Sequence, residues 1–104
     1  MIDLKGKTVL VTGGSRGIGE AIVRAVAAAG GDVLLHYGKS RAAAEAVQKD
    51  VRPATCRLLQ ADLGEADAPA ALWRAATTAA TRIDVVVNNA GIFEPITVEA
   101  SSEA

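Results

Sequence analysis

The sequence predicts an α/β fold in which four parallel strands form a sheet flanked by three helices. Short β-rich apolar runs alternate along the chain with helical patterns of about 10 to 15 residues. The runs are continuously apolar, as in strands that are buried on both faces of a sheet. The order β-α-β-α-β-α-β implies parallel strands joined by right-handed crossovers.

The first half of the chain supplies two strands and the helix between them. The first strand is predicted over Thr8–Val11 and the second over Asp32–Tyr37. Gly30 and Gly31 end the intervening helix, because glycine adopts the left-handed cap conformation at little cost. The residues expected on the buried face of this helix are Ile18, Ile22, Ala25, Val26 and Ala29.

The second helix and the third strand follow directly. Ser40 is expected to cap a helix that runs to about Lys49. Pro53 breaks this helix, because proline lacks the N–H that a helix interior needs. The third strand is predicted over Thr55–Gln60.

The last third of the sequence supplies one more helix and one more strand. The helix is predicted from near Asp67 to about Thr81, burying Leu72, Ala76 and Ala79. The fourth strand is predicted over Ile83–Asn88, and Thr97–Ala104 has the composition of an unfinished helix. The fourth strand would be an open edge, which is a site for pairing with another chain.

Length and composition limit the class of protein. The 104 residues, of which 50% are apolar and 22% charged, make one ordered domain. A net charge of -1 predicts no nucleic-acid or membrane partner. The polar N-terminal segment and the absence of an apolar run of ~20 residues predict a cytoplasmic location. Cys56, the one cysteine, is expected to be a small core residue, and no metal site is predicted.

The stretch between the first strand and the first helix is rich in glycine. It reads TGGSRGIG over Thr12–Gly19. Glycines in such a turn allow a sharp bend, close approach of a pyrophosphate and tight packing of helix on strand; the candidates are Gly13, Gly17 and Gly19. The spacing is G-x-x-x-G-x-G rather than G-x-G-x-x-G, and a glycine-rich loop without a ligand is the alternative.

Two further motifs give this turn a family context. TGGSRGIG resembles the TGxxxGxG cofactor motif of the short-chain dehydrogenase/reductase family. Residues Asn88–Gly91 match that family's NNAG motif at the end of the fourth strand, and Asp62 and Leu63 follow the third strand, where the family places an acid near the adenine. The resemblance covers about Lys5 to Ile92, and the sequence is similar in general look to the oxoacyl-carrier-protein reductase branch. It implies a Rossmann-like fold that binds NAD or NADP.

The resemblance implies contacts from three segments. Turn residues would hold the dinucleotide, Asp62 and Leu63 the adenine, and the fourth strand's end the ribose. The implied contacts are Gly13, Ser15, Arg16, Gly17, Ile18, Gly19, Asp62, Leu63, Asn89, Ala90 and Gly91. Strand-end hydrogen bonding without a ligand is the alternative for Asn88 and Asn89. We expect Asn89 to contact the cofactor and Asn88 to be mainly structural.

The end of the second strand favours NADP over NAD. No acid stands there to accept bonds from a ribose 2′-hydroxyl, and Asp32 lies at the strand's other end, ~13 Å away. Arg16 and Lys39 could reach a 2′-phosphate, and Tyr37 is a further expected contact. A solvated loop lysine is the alternative for Lys39.

Two residues that suggest catalysis, His36 and Tyr37, are interpreted otherwise, and the tryptophan is placed at the core. His36 is expected to pack or to face the 2′-phosphate, because it lies at the adenosine end of the site. Tyr37 is followed four residues later by Arg41 rather than by lysine. Trp73 is expected to cover the edge of the core.

The family's catalytic residues are a serine and a Tyr-x-x-x-Lys pair beyond NNAG, and this sequence contains no such pair. A tyrosine acts as acid or base near neutral pH only when neighbouring cations lower its pKa from about 10. Residues 1–104 are therefore predicted to be the N-terminal part of one NAD(P)-binding Rossmann domain, inactive alone. The complete protein would be a homo-oligomeric oxidoreductase that transfers hydride between nicotinamide and a small carbonyl or alcohol substrate. The alternative is a stand-alone half-fold that binds a nucleotide or a partner without catalysis.

Overall fold

The computed structural model describes residues 3–90, which form four strands and three helices in the predicted order. The strands are β1 (Thr8–Val11), β2 (Asp32–Tyr37), β3 (Cys56–Gln60) and β4 (Val85–Val87). The helices are α1 (Gly17–Ala28), α2 (Arg41–Asp50) and α3 (Ala68–Ala79). Thr97–Ala104, where an unfinished helix is expected, lies outside the described residues.

The four strands form one parallel sheet in the order β3-β2-β1-β4. Val11 is paired with Leu35 on one side and with Val87 on the other. The carboxyl ends of the strands therefore meet at one edge of the sheet, where ligands bind in open α/β folds. The predicted Rossmann-like α/β fold is confirmed.

Helices cover both faces of the sheet. Because successive strand side chains point to opposite faces, neighbours on β2 belong to different layers. Val33 and Leu35 pack with residues of α1 and α2, whereas Leu34 packs with Leu10 and with Ala76 of α3. Two helices thus shield one face, and among the described residues α3 alone shields the other.

The predicted buried face of α1 is partly wrong. The residues that α1 buries are Gly19, Val23 and Val26. Ile18 is 73% exposed, and Ala25 is also exposed. The helix is rotated relative to the prediction because Gly19, which has no side chain, is the residue that packs against the preceding turn.

The bounds of the later elements differ from the predictions by a few residues. Ser40 precedes α2 as predicted but makes no side-chain cap. On α3, Leu72 and Ala76 are buried, Ala79 is half-buried and Trp73 is 40% exposed. The helix ends two residues before the expected Thr81.

Side-chain bonds are found at the end of α3 and just before β4. Arg57 Nη1 donates to the Ala79 carbonyl at 2.5 Å, at the last residue of α3. At the start of β4, the Thr8 N–H donates to Asp84 Oδ2 at 2.8 Å, and Arg82 Nε lies 2.6 Å from Asp84 Oδ1. The Asp84 side chain, just before β4, thus accepts the Thr8 N–H at the start of β1.

Cys56 opens β3 and is buried, as predicted. Burial raises the pKa of its thiol to about 11. Among residues 3–90, no helix is long and apolar enough to cross a bilayer.

Candidate cofactor-binding site

The glycine-rich turn leaves β1 at the carboxyl edge of the sheet. Gly13 and Gly17 have φ values of +64° and +57°, a region that favours glycine over other residues. A Cβ at Gly14 would lie 3.0 Å from both Leu35 and Val23. The turn therefore needs glycine for its backbone conformation at two positions and for close packing at a third.

The start of α1 is pressed against this turn. A Cβ at Gly19 would lie 2.0 Å from the main-chain oxygen of Gly13, so only glycine fits. Arg16, the N-cap residue, makes no side-chain cap to the first turn. The first N–H groups of a helix carry partial positive charge and bind phosphates readily. The close approach of Gly19 places this end of α1 beside the edge of the sheet.

His36, on β2, holds the glycine-rich turn in place. Its Nδ1 accepts the Gly13 N–H at 2.9 Å, and its main-chain oxygen accepts the Gly14 N–H at 2.9 Å. With Nδ1 as acceptor, Nε2 carries the proton and donates to the Ala61 carbonyl at 3.0 Å. Burial lowers the pKa of the ring, which favours this neutral form.

The two sequence alternatives for His36 were packing and a 2′-phosphate contact. The side chain is 2% exposed and both ring nitrogens bind main-chain groups, so the structure gives it the packing role. Its bond to the turn was missed, because nothing in the local sequence links position 36 to position 13.

The end of β4 is tied to the same turn. Thr12 Oγ1 donates to the Val87 carbonyl at 3.4 Å and accepts the Ala90 N–H at 2.9 Å. Asn89 Nδ2 donates to the Gly13 carbonyl at 3.2 Å. Asn89 thus has a structural bond of the kind expected of Asn88, while its contact with a cofactor stays a prediction. Gly91 lies outside the described residues.

The segment predicted to hold the adenine follows β3. Asp62 is exposed, and its Oδ1 accepts the Gly64 N–H at 3.1 Å. Leu63 is half-buried. Both residues come directly after Ala61, whose carbonyl accepts the bond from His36. The predicted adenine segment is therefore connected to the glycine-rich turn through β2.

Exposed basic residues lie just after β2 and in the glycine-rich turn. Lys39 and Arg16 are exposed, and Ser15 is half-buried. Tyr37, by contrast, is 3% exposed, and its hydroxyl accepts a bond from Arg41 Nη1 at 2.9 Å. This bond was not predicted from the sequence, although the two residues stand four apart in the chain.

The structure brings most of the predicted site residues to one edge of the sheet. Two cavities, of about 470 and 380 Å³, are lined by other parts of the chain, including the end of α1 and the amino ends of the strands. No group of three or more potential metal-ligating side chains lies within residues 3–90. The arrangement of a strand, a glycine turn and a helix start without a side-chain cap is typical of nucleotide-binding α/β proteins.

Comparison with known proteins identifies the family. The family model described as short chain dehydrogenase matches residues 7–104. The chain therefore belongs to the short-chain dehydrogenase family.

Individual relatives agree with this assignment. An uncharacterised oxidoreductase of Methylorubrum extorquens is 39% identical over 99% of this chain and 42% of its own length. A 3-oxoacyl-[acyl-carrier-protein] reductase of Synechocystis is 40% identical over 88% of this chain and 38% of its own length. The solved RhlG/NADP active-site complex of Pseudomonas aeruginosa is 32% identical, with a TM-score of 0.75, over 83% of this chain and 34% of that one. The chain thus spans about two fifths of the length of the curated relatives it matches.

Proposed function

We propose that this chain is the NADP(H)-binding portion of an oxidoreductase that transfers hydride between the nicotinamide and a carbonyl or alcohol carbon of a small molecule. The observation that carries the proposal is the 2.0 Å approach of a Cβ at Gly19 to the Gly13 oxygen. A glycine required at this point holds the start of α1 beside the turn, in the arrangement that receives a pyrophosphate.

The residues present fit the dinucleotide. The first turn of α1 has no side-chain cap from Arg16, and Ile18 offers an exposed apolar surface beside it. Asp62 and Leu63 would hold the adenine, and Asn89 and Ala90, with Gly91, the ribose. The bound cofactor would supply the hydride. Arg16 and Lys39, exposed and cationic, support NADP(H) over NAD(H), because a 2′-phosphate adds negative charge there.

The described residues bind and orient, and none is proposed to transfer a proton to substrate. A serine and a Tyr-x-x-x-Lys pair would come from further chain, which agrees with the share of the relatives that this chain spans. We propose that residues 1–104 form the N-terminal part of one Rossmann domain in a homo-oligomer located in the cytoplasm.

The second candidate is a binding module without catalysis. It is favoured by β4, an edge strand whose Val85 and Val86 are 46% and 38% exposed. Such an edge can pair with another chain.

The test is to titrate the complete protein, comprising residues 1–104 and the further chain proposed above, with NADPH and NADH and to assay its hydride transfer to a panel of ketones and aldehydes. We expect tighter binding of NADPH, together with turnover. Binding without turnover would support the module instead, and no binding of either nucleotide would refute both the cofactor and the activity.

A further inference from the structure

His36 lies between two segments that follow strands not paired with each other. The glycine-rich turn follows β1 and Ala61 follows β3, and the strand order places β2 between them. His36 is on β2, opposite Leu59 of β3, and its side chain is 2% exposed. Its side chain can therefore help to hold the two segments at a fixed separation, beside the main-chain bond from the Ala61 N–H to the Tyr37 oxygen.

The two ring nitrogens of His36 bond two different main-chain groups, one as an acceptor and the other as a donor. The Gly13 N–H donates to Nδ1 at 2.9 Å, and Nε2 lies 3.0 Å from the oxygen of Ala61. A rigid ring that accepts on one side and donates on the other fixes both partners at once. The main-chain oxygen of His36 adds a third bond, from the Gly14 N–H at 2.9 Å.

Packing alone does not require histidine at this position. Its neighbour Leu34 packs in an apolar cluster with Leu10 and Ala76, where aliphatic side chains suffice. An aliphatic residue at position 36 would leave the Gly13 N–H and the Ala61 carbonyl without their ring partners. Burying such groups unpaired is costly, so the ring serves these two bonds.

We propose that His36 is a positioning residue for the dinucleotide: it sets the separation between the turn that receives the pyrophosphate and the segment that receives the adenine. This inference rests on the proposed function. A site held in its binding geometry before the ligand arrives loses less freedom on binding, which raises affinity. His36 itself touches main chain and not the cofactor.

Single substitutions can separate the two bonds. In H36N, the amide oxygen stands near the position of Nδ1 and keeps an acceptor for Gly13, but the side chain is too short for Ala61. In H36Q, the amide nitrogen reaches toward the position of Nε2 and keeps the donor for Ala61. H36L keeps neither bond. Two variants therefore remain informative if H36L does not fold.

The experiment measures the Kd for NADPH in the full chain at a temperature at which each variant is folded, with thermal unfolding recorded in parallel. We expect H36N and H36Q each to weaken binding about 3- to 10-fold, the effect of losing one hydrogen bond. H36L is expected to bind at least as weakly as the weaker of the two.

The matched control is Gln48→Leu. Gln48 Nε2 donates to the Cys56 carbonyl at 2.7 Å, a side-chain bond to main chain at the other end of β3. This variant is expected to lower the Tm and to leave the Kd for NADPH unchanged. A purely structural role for His36 would give its variants the same pattern.

Lower Tm values with an unchanged Kd in H36N and H36Q would overturn the inference and leave the proposed function standing. Failure of the unmutated chain to bind NADPH or NADH would instead refute the proposed function, and the inference with it. A ring ¹⁵N spectrum showing the proton of His36 on Nδ1 would also overturn it, because Nδ1 could not then accept from Gly13.

Discussion

Gly19 lies so close to Gly13 that a Cβ at position 19 would stand 2.0 Å from the Gly13 carbonyl oxygen. Gly19→Ala must therefore move α1 away from the turn, and we expect it to lower the free energy of unfolding by about 1–3 kcal/mol. Urea denaturation measures this loss. Gly38→Ala is the control, because a Cβ there meets nothing within 4 Å. Equal stability of the two variants would contradict the close approach.

Arg16 and Lys39 are the groups expected to distinguish the two nicotinamide cofactors. Arg16→Ala should weaken NADPH binding about 10-fold and NADH binding much less, because a charged hydrogen bond to the 2′-phosphate is lost. Calorimetric titration of both cofactors measures the ratio. Arg52→Ala, an exposed arginine after α2, is the control. Equal weakening of both cofactors would remove Arg16 from the 2′-phosphate site.

His36 makes stability depend on pH in mildly acidic solution. Burial lowers its pKa from the ordinary 6.5, so the unfolded chain takes up a proton at a pH where the folded chain does not. The unfolded state then binds more protons, and stability falls as the pH drops below about 6.5. Denaturation at a series of pH values should show this fall, and His36→Gln should flatten it. An unchanged slope in the variant would exclude His36 as its source.

Asp84 should make stability depend on pH in more acidic solution than His36 does. The N–H of Thr8, together with Arg82, lowers the pKa of this carboxyl below its ordinary 3.8. Its stabilising effect is present above about 3.8 and is lost as the pH falls through the folded-state pKa. Asp84→Asn keeps an acceptor oxygen for Thr8 but removes the titration, so thermal unfolding should lose part of its acid dependence. The same acid dependence in Asp84→Asn and in the unmutated protein would show that Asp84 is not its source.

The Thr12 hydroxyl joins β1 to the end of β4. Thr12→Val keeps the shape of the buried side chain but leaves the Ala90 N–H without its acceptor, and we expect a loss of about 1 kcal/mol. Thr78→Val is the control, because that hydroxyl bonds only the preceding turn of its own helix, at Arg74. If Thr12→Val lowers the free energy of unfolding no more than Thr78→Val does, the bond between Thr12 and Ala90 does not hold β1 to the end of β4.

The order of the elements could be predicted because its signals are local. Apolar runs such as Thr8–Val11, and the glycines that separate them from helices, need no knowledge of the rest of the fold. The rotation of α1 could not be predicted. It is set by the contact between Gly19 and Gly13 rather than by the apolar pattern that included Ile18.

The candidate site could likewise be predicted only in part from the sequence. The motifs located the turn, Asp62 and the end of β4, since residue type and strand order suffice for that. They could not show that His36 binds Gly13 and Ala61, which stand 23 and 25 residues away in the chain. The bond between Tyr37 and Arg41 lies within a local spacing and could have been expected from it.

The bonds from Asn89 and Ala90 to the glycine turn join residues 76 and 78 positions apart. During synthesis the turn leaves the ribosome among the first residues, yet these partners are translated near the end of the described chain. A nascent chain that stops before residue 89 contains the residues of the first strand, the turn and the helix after it, but not the partners of these bonds. The glycine-rich turn, which is made early, therefore gains these bonds only after β4 has been made, and the proposed binding of a nucleotide would need that strand.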